Sequence, residues 1–166
     1  MTQPSTTRPE RRRTLTAKRV TVTGNFHEAC ERFNSRQFWE CHESLEEVWQ
    51  HERGPIRDLY KGLIQVAAGF VHLTRGNSFG TRRLFTTALG YLEPYRAHGA
   101  MGWDVDAIAT AVEQSLAFAA NVGFDPARFD FALAPTFQFD ETAVPAEARC
   151  WGAWGFDPDG APLDME

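Results

Sequence analysis

The sequence predicts an all-α protein, a compact bundle of about five helices. Three observations support this fold class. Apolar residues recur from Phe26 onward at the three- and four-residue spacing of amphipathic helices. Short stretches rich in Gly, Pro, Asn or Ser separate the periodic segments. At 166 residues, 43% of them hydrophobic, the chain has the length and composition of one domain with a sizeable core.

The helix boundaries are predicted from turn and capping residues. The third predicted helix is apolar almost all round, which places it in the middle of the bundle. The five helices are expected to run from Phe26 to Asn34, from Gln37 to Glu52, from Pro55 to Arg75, from Asn77 or Ser78 to Pro94, and from Asp104 or Asp106 to Gly123.

Three parts of the chain differ in character. Residues 1–22 lack apolar periodicity and are expected to form a flexible basic tail. Residues 23–123 hold the predicted bundle. Residues 124–166 contain five prolines and many aromatic side chains, so we expect an irregular C-terminal segment that packs on the bundle.

Composition and charge narrow the class of protein. No apolar run approaches the ~20 residues that a membrane-spanning helix needs. The N-terminus lacks the apolar region of a secretory signal, and three cysteines without paired spacing suit a reducing compartment, so we expect a cytoplasmic protein. The net charge is −5, and the basic N-terminal tail has no interleaved aromatics, which disfavours nucleic acid as a partner.

The second predicted helix holds the polar residues that most need an explanation. At about 100° per residue, Phe38, His42, Leu45, Glu46 and Trp49 share one stripe. A histidine and a carboxylate are therefore expected inside an apolar face. Burying such a pair costs several kcal/mol per ion unless hydrogen bonds, an opposite charge or a metal compensate.

The third predicted helix carries a second unusual line of residues, namely Gly62, Gln65, Gly69, His72 and Gly76. Glycine in a helix interior costs up to about 1 kcal/mol relative to alanine. Repeated glycines on one line therefore indicate that a neighbouring helix or a ligand approaches the backbone closely. Gln65 and His72 are expected to face His42 and Glu46 across the seam between the two helices.

Together these residues resemble a known family. The pattern consists of His42-x-x-x-Glu46-x-x-Trp49, preceded by Phe38 and Glu40 and followed by Gly62-Leu63-Ile64-Gln65, His72 and Gly76-Asn77. It is similar to the small prokaryotic helical family catalogued as domain of unknown function 309, over roughly Phe26 to Leu92. The resemblance implies a compact helical bundle whose signature has been suggested to bind metal, without a settled activity.

The chemistry of these residues leaves two functional hypotheses open. In the first, His42, Glu46 and His72 hold zinc, manganese, iron or nickel, or the cleft binds a small molecule with the help of Gln65, Trp49 and Asn77. A metal-dependent hydrolase would then use Glu43 or Glu46 as general base. In the second, the same polar side chains form a structural network in a non-enzymatic interaction or scaffold module, which is compatible with a homo-oligomer.

Overall fold

Five α-helices form the described part of the protein, and the prediction of an all-α bundle is confirmed. The computed structural model describes residues 22–145. The helices are α1 (Val22–Asn34), α2 (Phe38–His51), α3 (Arg57–Thr74), α4 (Ser78–Leu92) and α5 (Val105–Val122). None of the helices between residues 22 and 145 combines the length and the hydrophobicity that crossing a bilayer requires.

Helix α3 lies at the centre of the bundle, as its nearly continuous apolar surface predicts. It packs on α2 along one side and on α4 along another, while α1 packs on α2. Phe70 of α3 contacts aromatic rings from three directions, from Phe33 of α1, Phe38 of α2 and Phe85 of α4. All five helices contribute buried residues to the core, and α3 lies at its centre.

The glycines of α3 allow α4 to lie unusually close. A Cβ atom added at Gly69 would come within 2.5 Å of the Phe85 ring, and one at Gly62 within 2.7 Å of the Leu92 side chain. The close approach that the sequence indicates is thus made by a neighbouring helix, α4. The glycine line of α3 faces α4 and not α2.

The turn between α3 and α4 combines two capping motifs. Gly76 has a positive φ of 73°, and its N–H donates to the Leu73 carbonyl, while the Asn77 N–H donates to the His72 carbonyl. This pair of bonds satisfies the last carbonyls of α3. The Asn77 side chain then accepts a hydrogen bond from the Gly80 N–H at 2.9 Å and caps α4.

The chain after α5 packs on the bundle through aromatic side chains. Phe137 is 1% exposed and stacks on Phe33 with ring centres 3.7 Å apart. The Asn34 carboxamide donates to the Phe137 carbonyl at 2.8 Å and accepts from the Phe137 N–H at 2.9 Å. Between residues 124 and 145 the segment forms two short 3-10 turns, Phe131–Leu133 and Glu141–Ala143, and no strand.

The division of the chain into three parts stays a prediction, because residues 1–21 and 146–166 lie outside the described residues. The predicted boundary between the N-terminal tail and the bundle differs from the structure by one residue. Val22, which was assigned to the N-terminal tail, is the first residue of α1 and is completely buried. Its distance from the next apolar position, Phe26, is one helical turn, so it extends the buried face of α1.

We expect Asn34→Ala to lower the free energy of unfolding by about 2 kcal/mol, because the main-chain groups of buried Phe137 lose both of their partners. Urea unfolding at equilibrium measures the change. Asn121→Ala, at an exposed position near the end of α5, is the matched control and should stay within about 0.5 kcal/mol of the wild type. Equal stability of the Asn34 variant and the wild type would contradict the assigned role of this contact.

We expect opposite effects from two glycine-to-alanine substitutions in neighbouring helices. Gly69→Ala should destabilise the protein by about 1–3 kcal/mol, because the new methyl group overlaps the Phe85 ring. Gly90→Ala should stabilise it by about 0.5–1 kcal/mol, because nothing lies within 4 Å of the added Cβ and alanine favours the helix. Thermal and urea unfolding of the two variants show whether each substitution raises or lowers the free energy of unfolding. Stabilisation by Gly69→Ala would show that α4 does not press against α3 at this point.

Candidate functional site

The buried face of α2 differs from the expected stripe. The buried residues of this helix are Phe38, Cys41, Ser44, Leu45 and Val48. The expectation that His42 and Glu46 lie inside the apolar face is therefore wrong, since their side chains are 19% and 39% exposed. Ser44 takes a core position because its hydroxyl donates to the Glu40 carbonyl one turn earlier, which satisfies the buried donor.

His42 lies at the edge of the core with its two ring nitrogens in different surroundings. Its Nε2 atom lies 3.5 Å from Oε2 of Glu46, one turn along the helix. Its Nδ1 atom is buried and has no hydrogen-bond partner among residues 22–145. The Trp39 ring lies 5.2 Å away and covers the imidazole at an angle of 33°. A buried ring nitrogen without a partner costs free energy.

Cations of α3 and of the residue that follows it lie on the two tryptophans of α2. The Arg57 guanidinium lies 3.9 Å and the Lys61 ammonium 4.6 Å from the centre of the Trp49 ring, and Arg57 also donates from Nε to the Trp49 carbonyl. The Arg75 guanidinium lies 5.5 Å from the Trp39 ring. We call this surface the α2–α3 face; it comprises Trp39, His42, Glu46, Trp49, Arg57, Lys61 and Arg75.

His72 and Asn77, two further predicted site residues, belong to the turn between α3 and α4. Asn77 donates from Nδ2 to Nδ1 of His72 at 3.0 Å while its oxygen caps α4. An added Cβ at Gly80 would lie 2.8 Å from His72 Nδ1, so the imidazole is packed on the start of α4. The structure therefore brings His72 together with Asn77 and not with His42 and Glu46.

Among the described residues, neither the Gln65 carboxamide oxygen nor the Glu43 carboxylate pairs with His42. Gln65 shares the α4-facing line of α3 with Gly62 and Gly69, and its carboxamide oxygen is buried without a partner in the described chain. Glu43 is exposed to solvent on α2. Its position leaves Glu46 as the carboxylate that contacts His42.

The positions of the potential ligands show how well the described residues fit a bound metal ion. Within residues 22–145, no three His, Cys, Asp or Glu side chains lie close enough together to hold one. His42 and Glu46 can supply two ligands one turn apart, whereas a tetrahedral protein site takes three or four. The predicted third ligand, His72, is not near them, so the residues described do not complete the predicted metal site.

The cysteines of the bundle are poor nucleophiles. Burial raises the pKa of the Cys30 thiol to about 12, and burial is also the main reason why the pKa of the Cys41 thiol is raised. The thiolate is the reactive form, and it is scarce at neutral pH in both residues. Nucleophilic catalysis by these two thiols is therefore disfavoured.

Sequence reasoning missed the cationic side of the site. Arg57, Lys61 and Arg75 carry no motif of their own, and their contacts join residues of α3 to residues of α2. The one available signal was the spacing of the charges, since Arg57 and Lys61 are one helical turn apart soon after Trp49. That spacing places charges on one helix face but does not say which ring they reach.

The comparisons with known proteins agree with the resemblance seen in the sequence. The family model described as domain of unknown function 309 matches residues 26–84. The uncharacterized protein YpuF of Bacillus subtilis (strain 168) is 36% identical to this chain over 72 residues, which cover 42% of this chain and 41% of YpuF. The match thus spans less than half of that relative. Residues 26–84 are thus similar to the domain of unknown function 309, and the His42-x-x-x-Glu46-x-x-Trp49 pattern lies inside the matched residues.

Proposed function

We propose that the α2–α3 face binds a small polar ligand, with His42 and Glu46 as its hydrogen-bonding groups. The observation that carries the proposal is the buried Nδ1 atom of His42, which has no partner in the described chain. A ligand atom that bonds this nitrogen removes the cost of leaving it unpaired. Glu46, which is partly exposed, is open to the same ligand.

The tryptophans beside the pair support a ligand site. Trp39 covers the imidazole, and Trp49 lies one turn beyond Glu46 on the same side of α2. Ligand sites in proteins commonly combine apolar or aromatic walls with a small number of polar groups. The α2–α3 face has this composition at the boundary between two helices.

The metal-dependent version of this proposal uses fewer protein ligands than the three that the sequence predicts. His42 and Glu46 would supply two ligands, and a divalent transition metal would take its other ligands from solvent or substrate. Glu43, being exposed, or Glu46 would serve as general base in a hydrolase. The nearness of His42 to Glu46 supports the two-ligand part of this version.

The second candidate function is an interaction or scaffold module. It is supported by two large apolar side chains on the surface, since Phe79 is 78% exposed and Trp39 is 47% exposed. Exposed aromatics of this size are typical of protein interfaces. In this version His42 and Glu46 help to fix the packing of α2, and a partner protein or a second copy of the chain covers Trp39 and Phe79.

A titration of isotope-labelled protein with acetate, acetamide and methyl phosphate in turn tests the ligand proposal. We expect at least one probe to cause saturable NMR shifts of the amides around residues 38–49. His42→Gln should weaken that binding by about tenfold, which corresponds to about 1.4 kcal/mol and to the loss of one hydrogen bond. Zinc and manganese chloride, added separately, test the metal version through a rise in melting temperature.

Two variants make the titration decisive. His98→Gln changes an exposed histidine of the α4–α5 connection and should leave binding unchanged. Glu46→Gln serves as the second site variant in case His42→Gln does not fold. The ligand proposal fails if none of the probes causes saturable shifts at α2, or if His98→Gln weakens binding as much as His42→Gln does.

A further inference from the structure

The α2–α3 face carries positive charges that the described chain does not neutralise. The Arg96 guanidinium is an example of a neutralised cation, because it forms ion pairs with Glu93, Asp106 and Glu113. Arg57 and Lys61, in contrast, have no carboxylate within 4 Å among residues 22–145. Both are half-buried, so less water screens their charges than at a fully exposed site.

The two cations share one aromatic partner. Both lie over the ring of Trp49, so their separation cannot exceed the sum of their distances from its centre, 3.9 Å and 4.6 Å. The bond from Arg57 Nε to the Trp49 carbonyl fixes one of them. Two like charges at this separation repel, and an anion that contacts both removes the repulsion.

We propose that the Trp49 end of the α2–α3 face binds the phosphate group of a small phosphomonoester. This inference rests on the proposed function and names the class of ligand for that site. A phosphate dianion matches the charge of one arginine and one lysine, and the planar guanidinium suits its oxygens. The net charge of −5 repels larger polyanions, which favours a small molecule over a nucleic acid.

The position of His42 limits the length of this ligand. His42 precedes Trp49 by seven residues, and seven residues of helix span about 10 Å. A ligand that places its phosphate between Arg57 and Lys61 can therefore place a hydroxyl, as hydrogen-bond donor, near Nδ1 of His42 if it has the size of a sugar phosphate. Glu46, between the two ends, is positioned to accept a hydrogen bond from a ligand hydroxyl.

Calorimetric titration with inorganic phosphate and with ribose 5-phosphate tests the inference. The double variant Arg57→Gln/Lys61→Gln should bind both probes at least about tenfold more weakly, because both charge-assisted contacts are lost. Arg82→Gln/Arg83→Gln is the matched control, since it removes two exposed arginines of α4 and gives the same net charge. The control should change the affinity by less than about twofold. Unfolding curves of both double variants verify that they are folded.

The outcomes separate this inference from the proposed function. His42→Gln should weaken the binding of ribose 5-phosphate but leave the binding of inorganic phosphate unchanged, because only the sugar reaches the imidazole. Unchanged binding of both probes to His42→Gln would overturn the role of His42 and leave the phosphate inference standing. The phosphate inference is overturned if the two double variants weaken the binding of the probes equally. It is also overturned if the protein binds phosphatidylglycerol vesicles but neither probe.

Discussion

The contact between the glycine side of α3 and α4 is the constraint on which the rest of the structure depends. Gly62 and Gly69 let the side chains of Leu92 and Phe85 lie against the backbone of α3. This contact fixes the rotation of α3 about its own axis. Phe70 then points into the core, and Arg57, Lys61 and Arg75 come to lie beside α2. The charge pattern of the α2–α3 face is thus a consequence of packing on the other side of α3.

The fold could be predicted to a large extent because its signals are local. Asn77 and Asp104, each one of two candidates that the sequence offers, cap α4 and α5, since a short polar side chain before an apolar run accepts from the first free N–H groups. The continuous apolar surface of the third predicted helix placed it at the centre correctly. The irregular C-terminal segment was predicted from its prolines, but which of its aromatic rings reach the core, such as Phe137, depends on long-range contacts that the sequence does not show.

The candidate site was predicted only in part, because its geometry depends on contacts between helices. The pair of His42 and Glu46 follows from helical spacing and is present. Helical spacing does not determine the orientation of α2 toward the core. Cys41 and Ser44 are small enough to lie in the core, while Trp49 remains half-buried at the edge. Gln65 and His72 share a line with the glycines, and the sequence alone does not say which neighbouring helix that line meets.

The contact between Asn34 and Phe137 has a consequence for the order of folding. The two residues are 103 positions apart, and the carboxamide binds the main chain of Phe137. Contacts of such high sequence separation require closure of a long loop and form after local helix pairs such as α3 and α4. Synthesis of the chain on a ribosome must therefore proceed well beyond α5 before the Phe33 ring can be covered, and until then the ring remains available to chaperones.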